Sequence, residues 1–295
     1  MITTSVFHEG ERAAQERAGL RAEADRVGAI VRDTIPPAAA AFLAERPMLF
    51  VAGADERDRM WASLLTGRPG FLRAGFDGEH EIVSVAARPL PTDPLAAALT
   101  GPAQLGAIAI DPSTRRRMRI NGVAEPVGDG LRILVDQAYA NCPKYLQRRE
   151  LLDVEPAAAP TVTVADALTA RHRAMIGGAD TFFIATSSAT GDRDASHRGG
   201  NPGFVRVRPD GRLSWPDYPG NAMMMTIGNL EQVSSAGLLF LDWSNGTTLQ
   251  LTGRASTDWA ARDRAVVFTP EEILLTEQAS PLRWSEPEYS RFNPD

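Results

Sequence analysis

Residues 62–78 read A-S-L-L-T-G-R-P-G-F-L-R-A-G-F-D-G, and residues 195–211 read A-S-H-R-G-G-N-P-G-F-V-R-V-R-P-D-G. At a constant offset of 133 the pairs Ala62/Ala195, Ser63/Ser196, Gly67/Gly200, Pro69/Pro202, Gly70/Gly203, Phe71/Phe204, Arg73/Arg206, Asp77/Asp210 and Gly78/Gly211 are identical. That is 9 matches in 17 positions, where ordinary residue usage gives roughly one by chance. A second block repeats at offset 131, pairing 106–124 with 237–255 through Gly106/Gly237, Asp111/Asp242, Ser113/Ser244, Gly122/Gly253 and Ala124/Ala255. A weaker third block pairs Leu49-Phe50-Val51-Ala52 with Phe182-Phe183-Ile184-Ala185. The three blocks keep one order and nearly one spacing, the signature of a duplicated unit.

Each copy carries the same local signals. An Ala-rich helical stretch (Ala38–Glu45; Asp166–Met175) precedes a short apolar strand (Met48–Ala52; Thr181–Thr186) and a hairpin. Pro-Gly-Phe opens the next strand and Asp-Gly supplies a turn. A short helix follows (Asp93–Leu99; Ala222–Leu230), then two strands joined by a turn at 111–116 or 242–247. Gly106–Ile110 and Gly237–Leu241 are nearly continuous apolar runs, as strands covered on both faces are. The last strand alternates, with Leu249 and Leu251 on one side and Thr248, Gln250 and Thr252 on the other. Many short strands, Gly/Pro punctuation and little helix predict a mainly β fold with peripheral helices, built from two small antiparallel barrels.

The chain's 295 residues agree with two domains. Glu155-Pro156-Ala157-Ala158-Ala159-Pro160 reads as a linker, placing the domains at 1–155, led by a polar helical stretch Glu9–Val27, and 156–295. The net charge of -6 disfavours general nucleic-acid binding. The single cysteine, Cys142, rules out an intrachain disulfide and a Cys-based zinc site, and fits a reducing, cytoplasmic setting. No targeting or membrane segment is expected, since the most apolar stretch, Ala38–Gly53, is broken by Glu45, Arg46 and Pro47.

Where two copies share a fold, their differences locate specialised chemistry. Leu64 and Leu65 of copy one become His197 and Arg198 in copy two, followed by Gly199-Gly200-Asn201-Pro202-Gly203. An arginine forks onto phosphate oxygens, and glycine allows close backbone approach. Gly220-Asn221 before an apolar helix predicts an Asn221 cap with free N–H groups behind it, an anion site. Met223-Met224-Met225 reads as packing. Lys144 and Tyr145, at the end of copy one, could reach the same groove as a cation and a stacking ring. Cys142 reads as a small packing residue. The Arg115-Arg116-Arg117-Met118-Arg119 run reads as a solvated hairpin turn. Asp217, beside Tyr218, is the one carboxylate considered for catalysis, while His8, His80, His172 and His197 are too scattered to suggest a metal centre.

Several motifs together resemble the pyridoxamine 5'-phosphate oxidase-like, FMN-binding split-barrel family, in particular its long two-module bacterial members. They are Phe7-His8-Glu9-Gly10-Glu11, Trp61 to Gly67 with Pro69-Gly70-Phe71, and Asn141 to Arg148. In copy two they are Asp180 to Thr186, Ser196 to Phe204, Pro216-Asp217-Tyr218 with Gly220-Asn221, Gly228-Asn229-Leu230, and Leu249 to Gly253. The resemblance covers about residues 7–270 and implies tandem six-stranded antiparallel split barrels with FMN in a groove between them. It implies one FMN per chain, held by Ser196, His197, Arg198, Gly199, Asn221, Thr226, Asn229 and Gln250 with Lys144 and Tyr145, and no metal. It also implies a flavin-dependent oxidoreductase acting on a small molecule, with an external reductant or oxygen. The two barrels would pair within the chain, and a homodimer of such pairs is allowed. Haem binding or degradation, and non-catalytic binding of flavin or the deazaflavin F420, are the alternative readings.

Overall fold

In the computed structural model, residues 6–156, 159–220, 222–261 and 264–294 are described. The first copy opens with helices α1 (Glu9–Arg17), α2 (Arg21–Gly28) and α3 (Pro37–Ala44), then β1 (Met48–Ala54), β2 (Met60–Thr66), β3 (Leu72–Phe76) and β4 (Glu81–Val85). Helix α4 (Leu95–Ala98) leads to β5 (Ala103–Asp111), β6 (Arg116–Val127) and β7 (Gly130–Ala140). Strands β8 (Leu151–Val154) and β9 (Thr161–Ala165) lie on either side of the linker. The second copy runs α5 (Ala170–Gly178), β10 (Thr181–Ser187), β11 (Arg193–Gly199), β12 (Arg206–Val207), β13 (Leu213–Pro216), α6 (Met225–Gln232), β14 (Ser235–Leu241), β15 (Thr248–Asp258), β16 (Ala265–Glu277) and β17 (Leu282–Trp284).

The repeat is reproduced strand for strand. The first sheet has the order β2-β1-β5-β6-β7-β4-β3, and the second β11-β10-β14-β15-β16-β13-β12, with β9 added on β16. All pairings are antiparallel, and register follows the offsets: Phe50 faces Leu64 as Phe183 faces His197, and Gly106 faces Asn121 as Gly237 faces Thr252. Even the bulges coincide, at Asn121/Gly122 and Thr252/Gly253. Each path holds seven strands, one more than the six expected, with β7 joining β6 to β4 and β16 joining β15 to β13. One core cluster draws on all seven strands of the first sheet, from Trp61 on edge β2 to Leu72 on edge β3. The sheet therefore curls around its own core with its two edges left unpaired, a split barrel. The second barrel does the same around Phe182, Trp215, Phe240 and Phe268.

A third apolar cluster lies between the barrels, contributed by β1, β2 and β5 from one and β10, β11 and β14 from the other. Its centre is a stacked pair of equivalent rings, Phe50 and Phe183, with centroids 3.4 Å apart and planes at 11°. Glycines let the backbones approach on both sides. A Cβ on Gly106 would lie 2.6 Å from the Arg193 carbonyl, and one on the equivalent Gly237 2.6 Å from the Met60 carbonyl. The copies thus form a pseudo-dimer with approximate twofold symmetry, and the groove beside the seam occurs twice.

The opening Phe-His-Glu-Gly-Glu motif serves packing. Gly10 on α1 crosses Gly228 on α6 so closely that a Cβ on Gly10 would sit 2.3 Å from the Gly228 carbonyl. The His8 ring accepts the Gly10 N–H at Nδ1, which fixes the proton on Nε2, and that atom donates to Asn229 Oδ1 at 2.9 Å. Among the described residues no helix is long and apolar enough to cross a membrane.

Candidate functional site

Strand alternation decides which side chains reach the grooves. On β6, Met118 and Ile120 point into the first barrel's core, so Arg117 and Arg119 point toward the second barrel. On β11, His197 replaces interface residue Leu64, and Arg198 takes the place of Leu65, a core residue in copy one. These four residues, with Lys144, Tyr145, Cys142, Asp217 and Tyr218, line a cavity of about 100 Å³ where the barrels meet. The arginine run is therefore not a solvated turn. Arg115 occupies the turn at φ 57°, Arg116 is exposed, and the next two odd positions are carried into the seam.

The cations differ in how they are balanced. Arg119 is 8% exposed and donates through one nitrogen to both Asp194 oxygens, at 2.6 and 2.8 Å. It also donates to Ser196 Oγ and to Tyr139 Oη at 3.2 Å. Burial alone would lower the Arg119 pKa, but Asp194 and Tyr139 together more than offset it and raise the pKa further. Arg264 donates to Asp217 from Nε at 2.9 Å and by a second nitrogen at 2.5 Å. Arg117 instead donates to the Cys142 and Lys144 carbonyls and to His197 Nδ1. Arg198 donates to the His197 carbonyl at 3.0 Å. No carboxylate of the described residues lies within ion-pair distance of Arg117 or Arg198. Burial and the neighbouring Arg119 push Arg117 down to about 9, which leaves it charged at neutral pH.

His197 adds a directed donor. A guanidinium can only donate, so His197 Nδ1 is the acceptor at 2.7 Å and the ring proton sits on Nε2. That Nε2–H is buried with no partner among the described residues, as are Arg117 Nε and Arg119 Nε. Burial, then Arg117 and Arg198, hold the His197 pKa well below its usual value, so the ring is neutral. Among the described residues, three orphaned buried donors, His197 Nε2, Arg117 Nε and Arg119 Nε, and two guanidinium groups without a carboxylate at ion-pair distance call for an acceptor with negative charge.

The expected residues divide by position. His197, Arg198, Gly199, Lys144 and Tyr145 line the cavity. Ser196 and Thr226 lie behind it, bonded to each other at 2.8 Å, with Ser196 supporting Arg119. Asn229 lines a separate cavity near α1 and donates to Thr186. Gln250 lies in the opposite groove, donating to the Ala62 carbonyl, Ser63 and Asp93. Asn221 lies outside the described residues. The helix expected from Ala222 begins at Met225, and the residue before it is Met224 in the left-handed region at φ 59° with no side-chain cap. That helix end meets Arg119, whose guanidinium lies 3.7 Å from Met225 Sδ, rather than opening into the cavity.

The glycines also read differently in the structure. A Cβ on Gly199 would lie 2.0 Å from the Tyr145 carbonyl, and one on Gly200 would meet Phe204, as one on Gly67 would meet Phe71. Gly199 thus admits the end of copy one, and Gly200 is a shared packing device. Gly199→Ala should displace the 141–146 segment and weaken anion binding at least about fivefold, as read by titration with inorganic phosphate. Cys142, expected as a packing residue, is exposed at the mouth. Tyr145 bonds the Pro219 carbonyl at 2.7 Å, and its ring lies 5.1 Å from that of Tyr218. The tail from Ser285 onward, unforeseen in the sequence, returns to this segment through Gln147 and through Phe292 beneath Lys144.

The symmetry-related groove is nearly closed, with about 10 Å³ between Leu64, Leu239, Thr248, Gln250 and Asp93. Offset 131 puts Thr248 and Gln250 where Arg117 and Arg119 stand. Asp93 accepts from Ser63 at 2.8 Å and from Gln250 at 3.0 Å, so a hydrogen-bonded plug without a cation replaces the cationic lining.

The cavity near α1, about 230 Å³, is acidic, with Glu11, Asp136, Asp192 and Asp194. Burial pushes Glu11 up to about 8, against its ordinary 4.5. A carboxyl raised in the folded state binds more protons folded than unfolded between those values. Stability should therefore fall as pH rises from about 4.5 to 8, by up to a few kcal/mol. Glu11→Gln should flatten that slope in denaturation midpoints taken across the range. An equally steep slope in the variant would show that another group titrates.

No protein-family model and no curated protein matches the chain. Among solved structures, it is similar to a Clostridium acetobutylicum protein related to general stress protein 26, of the pyridoxinephosphate oxidase family. The identity is 15%, over 39% of this chain and 92% of that one, with a TM-score of 0.28. It is also similar to the FAD binding protein from Mycobacterium smegmatis, at 14% identity over 39% and 98% with a TM-score of 0.27. A third is HutZ, the heme storage protein from Vibrio cholerae, at 14% over 38% and 95% with a TM-score of 0.27. Each of these proteins spans the length of about one barrel here.

Proposed function

We propose that the chain binds a flavin mononucleotide by its phosphate end in the cavity between the barrels and acts as an FMN-dependent oxidoreductase on a small molecule. The observation that supports this most is the set of buried, partnerless donors, His197 Nε2, Arg117 Nε and Arg119 Nε, beside Arg117 and Arg198, which have no carboxylate at ion-pair distance among the described residues. The residues fit an anion. A cavity of about 100 Å³ takes a phosphate-sized group, and the low-dielectric seam strengthens each charge-assisted bond to it. Arg198 and Arg117 would neutralise the phosphate, His197 would donate one directed hydrogen bond, and Tyr145 and Tyr218 offer aromatic faces at the mouth. The flavin ring, when bound, supplies the redox chemistry.

The haem alternative is less well supported. His197 is the only histidine lining the cavity, and its Nε2 carries the proton that an axial ligand would have to lose. Purified protein incubated with FMN should show a red-shifted, structured flavin absorbance and quenched flavin fluorescence. Arg198→Ala should weaken that binding by about 1.5–3 kcal/mol, roughly ten- to hundredfold. Riboflavin, which has no phosphate, should bind with little difference between the two proteins. FMN affinity unchanged in the variant would remove the phosphate assignment. A Soret band on haem addition that is lost in His197→Ala would favour haem instead.

A further inference from the structure

Beside the anion cavity, and sharing Arg117 and Asn141 with it, lies a larger groove of about 500 Å³ on the first barrel. Its floor is apolar, formed by Met118 and Ala138 of β6 and β7, with Pro36, Ala39 and Phe42 from the start and inner face of α3. The groove is within the usual range for small-molecule sites, about 300–1,000 Å³. Its charged lining has one sign. Arg32, Arg115, Arg116 and Arg117 border it, and no carboxylate does, in a chain of net charge -6. Arg115 is spoken for, by Glu288 at 3.3 Å and the Leu146 carbonyl at 3.0 Å. Arg117 serves the neighbouring cavity. Arg32 and Arg116 remain exposed at the rim. Arg116 lies over the Phe42 ring at 4.9 Å, and neither arginine is within ion-pair distance of a carboxylate among the described residues.

We infer that this groove binds a small apolar monoanion, a fatty or aromatic carboxylate, with its hydrocarbon on Met118, Ala138 and Phe42 and its carboxylate at Arg116 and Arg32. Charge complementarity selects this occupant. Apolar burial provides affinity without direction, and the one-signed rim fixes which end faces out. The site stands on its own lining and does not depend on the flavin reading. If that reading holds, the shared wall at Arg117 puts this ligand next to the cofactor, as a substrate would be.

The test is a competition titration on the full chain with 1-anilinonaphthalene-8-sulfonate, an apolar anion whose fluorescence rises on burial. Dodecanoate should displace it, while dodecanol should do so at least about tenfold less well. Arg32→Glu/Arg116→Glu should weaken dodecanoate about tenfold or more while leaving dodecanol unchanged. Ala39→Trp, which fills the floor from a half-buried helix position, should abolish both. FMN binding, read by flavin absorbance, should survive Ala39→Trp and the rim variant, so failure here is separable from failure at the anion cavity. Equal displacement by acid and alcohol, or an unaffected rim variant, would overturn the inference. Displacement of the probe by FMN would overturn it too, assigning the groove to the flavin ring.

Discussion

Arg119→Met should be among the most damaging single substitutions in this chain. Arg119 comes from the first barrel and Asp194 from the second, and both are under a tenth exposed. Removing the cation leaves Asp194 buried without its counter-charge, with Ser196 Oγ at 3.2 Å as its remaining side-chain partner. Breaking one side of such a pair costs about 3–5 kcal/mol. For a chain whose whole stability is on the order of 5–15 kcal/mol, that is a large share. Urea denaturation should show a midpoint lowered by that loss divided by the slope, with the slope itself unchanged. The double variant Arg119→Met/Asp194→Leu should recover most of the loss, because replacing a buried pair by apolar groups is often neutral. A single variant within about 1 kcal/mol of the parent would show that water reaches Asp194 and that the seam is loosely packed in solution.

The same residue shows what was readable in the sequence. The offsets of 133 and 131 fix which strands correspond, and the structure keeps that correspondence down to the bulges at Asn121/Gly122 and Thr252/Gly253. Turn chemistry and apolar alternation were enough for this, because they are local. The exchange of Leu64-Leu65 for His197-Arg198 pointed to the cavity for the same reason: two equivalent backbone sites differ in charge. Arg117 and Arg119 are hidden in the sequence, because a cluster of arginines after a turn reads as solvated. Their direction follows from Met118 and Ile120, which must enter the core and so turn the odd residues toward the other barrel. Gln250 belongs to copy two, and its symmetry mate in the open groove is Arg119. In a pseudo-dimer each groove takes one strand pair from each copy, so the second copy's own β15 serves the closed groove. The roles of Gly199 and of the returning tail depend on contacts with Tyr145 and Gln147, more than fifty residues away, which no local pattern encodes.

The second large effect is expected at the pseudo-twofold axis. Phe50 and Phe183 are each about 1% exposed and stack against one another, so each ring forms part of the other's cavity wall. Truncating a buried phenylalanine to alanine costs about 3–5 kcal/mol through lost transfer energy and the space left behind. Relaxation into that space is restrained, because Gly106 against Asp194 and Gly237 against Trp61 already bring backbone to backbone on both flanks. Phe183→Ala should therefore lie at the upper end of that range. It should also loosen the cation cavity, since the Phe183 ring packs edge-on against His197 at 5.7 Å and holds its imidazole against Arg117. Phe50→Ala should cost similar stability with less effect on anion affinity, because its cross-strand neighbour is Leu64. Paired measurements of urea midpoint and phosphate affinity separate the two roles. Equal losses of affinity in both variants would mean that the seam acts on the cavity only through overall stability, and that His197 is positioned by its own strand.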